Sequence, residues 1–116
     1  MRICIDLDGT ICKLKADSES YSDNEPYPEA IDAIKKFKKA GHHIIIYTAR
    51  RMRTHNGNVG LVTADIAAIT IKWLEDNDVP YDEIYFGKPY ANVYIDDLAL
   101  EYKNNWDEIC QKILES

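Results

Sequence analysis

Apolar residues recur along the chain with two periods, and the switches between them predict alternating strands and helices. Ile3 to Leu7 is a short apolar run that stops at Asp8-Gly9-Thr10, where charge and a permissive glycine end it, so a buried strand opens into a loop. Lys13 to Pro28 is polar, carries Asp17, Glu19, Asp23 and Glu25, and follows neither period, so it reads as a long loop or flap. From Glu29 to Ala40, the residues Ala30, Ile31, Ile34 and Phe37 share one side, while Lys35, Lys36, Lys38 and Lys39 surround the other. This is an amphipathic helix whose late lysines suit its negative end, with Gly41 as its stop.

His43 to Thr48 is a second, β-branched apolar run, followed from Ala49 to Gly60 by a loop holding Arg50, Arg51, Arg53 and His55. Ala64 to Asn77 places Ile66, Ile69, Trp73 and Leu74 at helical spacing, with Thr63 or Asp65 as cap and Pro80 beyond the end. Ile84 to Phe86 and Asn92 to Ile95 are short strands around Gly87-Lys88-Pro89, and Trp106 to Leu114 is a closing helix. This order predicts an α/β fold, a Rossmann-like and mostly parallel sheet with helices on both faces. Trp73 and Trp106 are expected as core anchors. His42 and His43 are expected at the surface or in packing.

Composition narrows the setting. A chain of 116 residues, 46% hydrophobic and 29% charged, suits one domain over 1–116 and holds a core without disulfides. Cys4, Cys12 and Cys110 are odd in number and far apart, which argues against an extracellular disulfide framework and for a reducing cytoplasm. The formal net charge of −6 argues against nucleic acid as a partner. The longest apolar run, Ile44 to Tyr47, is far too short to span a membrane.

Ligands of such sheets bind at the carboxyl ends of the strands. Asp6 and Asp8 stand at the first end, Thr48 and Arg50 at the second, Lys88 at the third, Asp96 and Asp97 at the fourth. Two positions apart on extended backbone, Asp6 and Asp8 point to the same side. Four clustered carboxylates, Asp6, Asp8, Asp96 and Asp97, repel one another unless a cation joins them, and an all-oxygen set suits Mg²⁺. Lys88 and Thr48, with Arg50 beside them, are the donors that non-bridging phosphoryl oxygens need. One carboxylate would act as nucleophile and a second would exchange the proton, roles that fit Asp6 and Asp8.

Through Asp6-Leu7-Asp8-Gly9-Thr10, Tyr47-Thr48-Ala49-Arg50, Gly87-Lys88-Pro89 and Ile95-Asp96-Asp97, in that order, the chain resembles the haloacid dehalogenase (HAD) superfamily. The resemblance implies Asp6 as nucleophile and Asp8 as general acid/base and, through its backbone carbonyl, a metal ligand. It implies Thr48 and Lys88 as phosphate binders, Asp96 as a Mg²⁺ ligand, and Asp97 as a ligand or a carboxylate just behind one. An aspartate at the position of Asp8 resembles the family's phosphatases and phosphomutases rather than its dehalogenases or P-type ATPases. Neither interval between motifs has room for the family's cap domain, so the likeness is to capless members, which take bulky substrates or borrow a neighbouring subunit as lid. Within these, Tyr81 to Pro89 and Asn92 to Asp97 resemble small bacterial phosphatases of capsule and surface-polysaccharide synthesis.

The leading expectation is a Mg²⁺-dependent phosphatase acting on a sugar phosphate or related small metabolite through phospho-Asp6. Two alternatives are a polynucleotide 3′-phosphatase and a receiver-like signalling module. A receiver carries its acceptor aspartate in mid-chain, whereas Asp6 and Asp8 lie at the start. If a subunit supplies the lid, a homo-oligomer is expected, with Val59, Leu61 and Val62 across the interface.

Overall fold

The computed structural model describes residues 1–15 and 20–116, so Asp17 and Glu19 of the expected flap lie outside the described residues. Its elements run β1 (Arg2–Asp6), α1 (Pro28–Lys39), β2 (His43–Thr48), α2 (Val59–Asp76), β3 (Glu83–Phe86) and α3 (Trp106–Leu114). A short 3-10 turn at Tyr21–Asp23 interrupts the long loop before α1. The three strands form a parallel sheet in the order β1-β2-β3, with Ile3 opposite Ile44, Ile5 opposite Ile46, and Ile46 opposite Ile84. Among the described residues, no helix is long and apolar enough to cross a membrane.

The period of two along β2 buries Ile44, Ile46 and Thr48 on one face. That face shares one core with Ile31, Ile34 and Phe37 of α1 and with Trp73 and Leu74 of α2, and α3 adds Trp106, Ile109 and Ile113 by packing on α1. The other face, with Cys4, Ile45, Tyr47 and Tyr85, is half-buried to exposed. Both tryptophans are anchors as expected, and each indole N–H finds a carbonyl: Trp73 donates to Asn24 at 2.8 Å and Trp106 to Thr10 at 3.2 Å. Trp106 thereby fastens the last helix to the loop that follows β1.

Two boundaries differ from the sequence pattern. Helix α2 begins at Val59, five residues before the expected start, because the Asn58 side chain accepts the Leu61 N–H at 3.2 Å and caps it there. Gly60 sits in the first turn, where it leaves the helix intact. Val62 is then fully buried in its own chain and unavailable to a neighbour, while Val59 and Leu61 are exposed. The expected strand Asn92–Ile95 does not form: residues 87–105 are irregular, and Ile95 is 96% exposed. Its alternating pattern fits a strand, but no described strand pairs with β1 on the side away from β2, and without a partner ladder a four-residue strand has nothing to hold it.

The Asp82 carboxylate ties three elements, accepting the Ile44 N–H at 2.8 Å and the Lys38 ammonium at 2.7 and 2.8 Å. These contacts, the Ile44 N–H first, lower the Asp82 pKa below its ordinary value. A depressed carboxyl stabilises the fold above its unfolded pKa and loses that contribution as pH falls through the folded one. Asp82→Asn is therefore expected to lower the urea midpoint at neutral pH, with the gap to wild type closing on the acid side of the carboxylate range. Trp106→Ala is expected to cost about 3–5 kcal/mol in the same unfolding measurement.

Candidate active site

The carboxyl end of β1 delivers two carboxylates, as the spacing predicts, and the chain then turns away. Gly9, at φ 85°, makes that turn, and the N–H groups of Thr10, Ile11 and Cys12 all converge on the Leu7 carbonyl. At the end of β3, Gly87 has φ 100°, and a Cβ there would stand 3.0 Å from the Val59 side chain. Only glycine fits, and the turn it allows lets the Lys88 N–H donate to the Thr48 carbonyl at 3.1 Å. Lys88 is thus pinned beside β2, and its ammonium lies 3.4 Å from Asp6 Oδ1. Burial raises the Asp6 pKa above the ordinary aspartate value, with Lys88 pulling in the opposite direction.

Asp8 is held differently. Arg50 Nε donates to its Oδ2 at 2.8 Å and Arg50 Nη2 to its Oδ1 at 2.9 Å, a two-pronged pair whose guanidinium side is wholly buried. The third arm of the guanidinium, Nη1, donates to Thr70 Oγ1 at 3.0 Å, and the Tyr21 ring covers it at 4.3 Å. Asp8 Oδ1 also accepts from Asn24 Nδ2 at 3.2 Å and from Cys12 Sγ at 3.5 Å. Burial, and next the charge of Asp8, push the Cys12 thiol up to about 12, so it remains a donor.

These groups open onto one cavity of about 510 Å³, lined by Asp6, Asp8, Arg50 and Lys88 together with loop residues that include Tyr21, Tyr90 and Tyr94. Four of the expected site residues therefore meet. Thr48 does not face the cavity: it is buried, and its Oγ1 accepts the Arg50 N–H at 3.1 Å, so it fixes the loop that carries Arg50. The Arg50 guanidinium, expected on phosphate, is engaged by Asp8 and Thr70. Asp96 and Asp97 are exposed on the irregular stretch, with Asp96 Oδ1 accepting the Leu98 N–H at 2.8 Å. Among the described residues no three carboxylate, imidazole or thiol groups gather, so Asp6, Asp8, Asp96 and Asp97 do not stand as one cluster in this arrangement.

Three partners of the site escaped the sequence pattern: Thr70, Asn24 and Cys12. Thr70 left a signal, because it occupies the apolar stripe of α2 between Ile66 and Trp73, where a buried hydroxyl requires a partner. Asn24 lies in a loop without period, and its link to Asp8 across 16 residues has no local mark.

Comparison with known proteins shows the family and the fold. The family model for haloacid dehalogenase-like hydrolases matches residues 3–71. A structure from Vibrio cholerae aligns with a TM-score of 0.80 at 32% identity, covering 97% of this chain and 98% of that one. The D,D-heptose 1,7-bisphosphate phosphatase of B. bronchiseptica, complexed with magnesium and phosphate, aligns at 0.51 and 18% identity over 97% of this chain and 63% of its own. A chain of the Pnkp1/Rnl/Hen1 RNA repair complex aligns at 0.53 and 18% identity over 98% of this chain and 30% of its own, so these last two share the fold. No curated protein matches. A match over more than half the chain, across the strand that carries Asp6 and the loop that carries Arg50, makes this protein a member of the haloacid dehalogenase-like hydrolases.

Proposed function

We propose that the protein hydrolyses phosphate monoesters, with Asp6 as nucleophile. The observation that carries this reading is the Asp6 carboxylate on the cavity wall with the Lys88 ammonium 3.4 Å away. Attack by an Asp6 oxygen on phosphorus expels the alcohol and leaves an acyl phosphate, which water then hydrolyses to return the carboxylate. Lys88 offsets charge on the phosphoryl oxygens. Asp8 exchanges the proton with the departing oxygen and then with water, and Arg50 with Thr70 sets where its carboxyl stands. Thr48 supports the Arg50 loop. Mg²⁺ dependence belongs to this proposal through the family resemblance, with Asp6, on the cavity wall, as the carboxylate that would meet the ion. The likeness of residues 81–97 to phosphatases of surface-polysaccharide synthesis makes sugar phosphates the first substrates to try, and the three free cysteines suit a cytoplasmic setting.

Phosphate release from sugar phosphates and an aryl phosphate, with Mg²⁺ or with chelator, tests the reaction. Asp6→Asn is expected to lose about 10³-fold or more of kcat, and full retention would remove Asp6 from the role. Because Asp6 must be ionised to attack, activity should fall on the acid side around a midpoint above the ordinary aspartate value.

Arg50→Lys replaces a three-armed donor by a point charge. It is expected to lower kcat by about 10- to 100-fold with little change in KM. A purely structural role would lower the unfolding midpoint and leave kcat per folded molecule in place.

A further inference from the structure

The cavity carries more positive charge than a single phosphoryl group explains. Among the described residues, the cations Arg50, Arg51, Arg53 and Lys88 line it with two carboxylates, Asp6 and Asp8, in a chain whose net charge is −6. Lys88 and Arg50 are matched one to one with those carboxylates. That leaves Arg51 and Arg53, on the loop that follows β2.

Neither of these arginines is neutralised as Arg50 is. Arg53 is exposed, forms no ion pair among the described residues, and lies 5.5 Å over the Tyr90 ring. Arg51 sits 5.3 Å over Tyr21 and is 3.6 Å from Asp65, with Nε making no hydrogen bond among the described residues. Its backbone is at φ 61°, a conformation a long side chain adopts only when its surroundings impose it. Aromatic faces beneath two guanidinium groups hold them in place at little further entropic cost, and guanidinium forks match carboxylate and phosphate.

We infer that the cavity takes a small phosphate monoester bearing a second anionic group, received by Arg51 and Arg53, with its carbon skeleton against Tyr21, Tyr90 and Tyr94. This rests on the phosphatase reading above and adds the substrate class to it. A volume of about 510 Å³ is within the range of small-molecule sites.

The test compares fructose 6-phosphate, fructose 1,6-bisphosphate, 6-phosphogluconate and a 3′-phosphorylated dinucleotide as substrates for wild type and for Arg51→Gln/Arg53→Gln. One charge-assisted contact corresponds to about tenfold, so the bisphosphate or the phosphogluconate should exceed fructose 6-phosphate by at least that factor in kcat/KM, chiefly through KM. Which of the two leads tells whether the second anion is phosphate or carboxylate. In the double variant the ratio should collapse to about one. Equal values in wild type, or an advantage that survives the double substitution, overturn the inference, and a preference for the dinucleotide overturns its small-substrate part. Calorimetric titration of the same compounds into Asp6→Asn reads affinity without chemistry. A protein that hydrolyses none of them overturns the phosphatase reading, while the order of affinities still decides the second-anion site.

Discussion

A guanidinium sealed from solvent has to be neutralised where it stands, and for Arg50 that place is Asp8. The pair joins the end of β1 to the loop after β2, the arm to Thr70 extends it into α2, and the Asn24 contact extends it to the loop before α1. Four separate stretches of chain are fixed by one carboxylate and one guanidinium. Removing either partner leaves an uncompensated charge in the interior, which costs about 3–5 kcal/mol in comparable buried pairs. The orientation of Asp8 and the closing of the sheet end are therefore one event.

Asp6, two residues earlier, lives under the opposite regime. Its carboxylate is partly open to the cavity and faces one ammonium at 3.4 Å rather than a fork of donors. Burial raises its pKa with Lys88 pulling the other way, and its contacts, Lys88 on Oδ1 and Thr10 Oγ1 on Oδ2, are both long at 3.4 Å, whereas the Arg50 fork meets Asp8 at 2.8 and 2.9 Å. Neighbouring carboxyls placed in unlike surroundings can serve unlike roles, one reacting and one positioned.

What was legible in the sequence was local. The apolar run of β2, the stripe of α1, and Asp6 and Asp8 on one side of extended backbone all follow from residues within a short stretch. Lys88 was legible because Gly87 and Pro89 bracket it in a turn. Arg50 was visible as a site residue but its partner was not, since nothing at position 50 reports on position 8. The strand expected at Asn92–Ile95 failed for a related reason: alternation shows that a segment can pair, while the partner edge is a property of the whole sheet. Asp96 and Asp97 depend on that pairing for their placement, so they fell with it. Thr48 was put at the right strand end but on the wrong side of the backbone, since Ile44, Ile46 and Thr48 share the core face.

The Thr70 hydroxyl has a consequence for how this sequence varies. It sits in the middle of a helix, far along the chain from either aspartate, yet it supplies the acceptor for one arm of Arg50. Residues that share a network depart from additivity, so a change at 70 is read differently depending on what stands at 8, 24 and 50. Drift at these four positions is constrained to move in concert, and a tolerated substitution at one of them in a related chain is a sign that the others have already shifted.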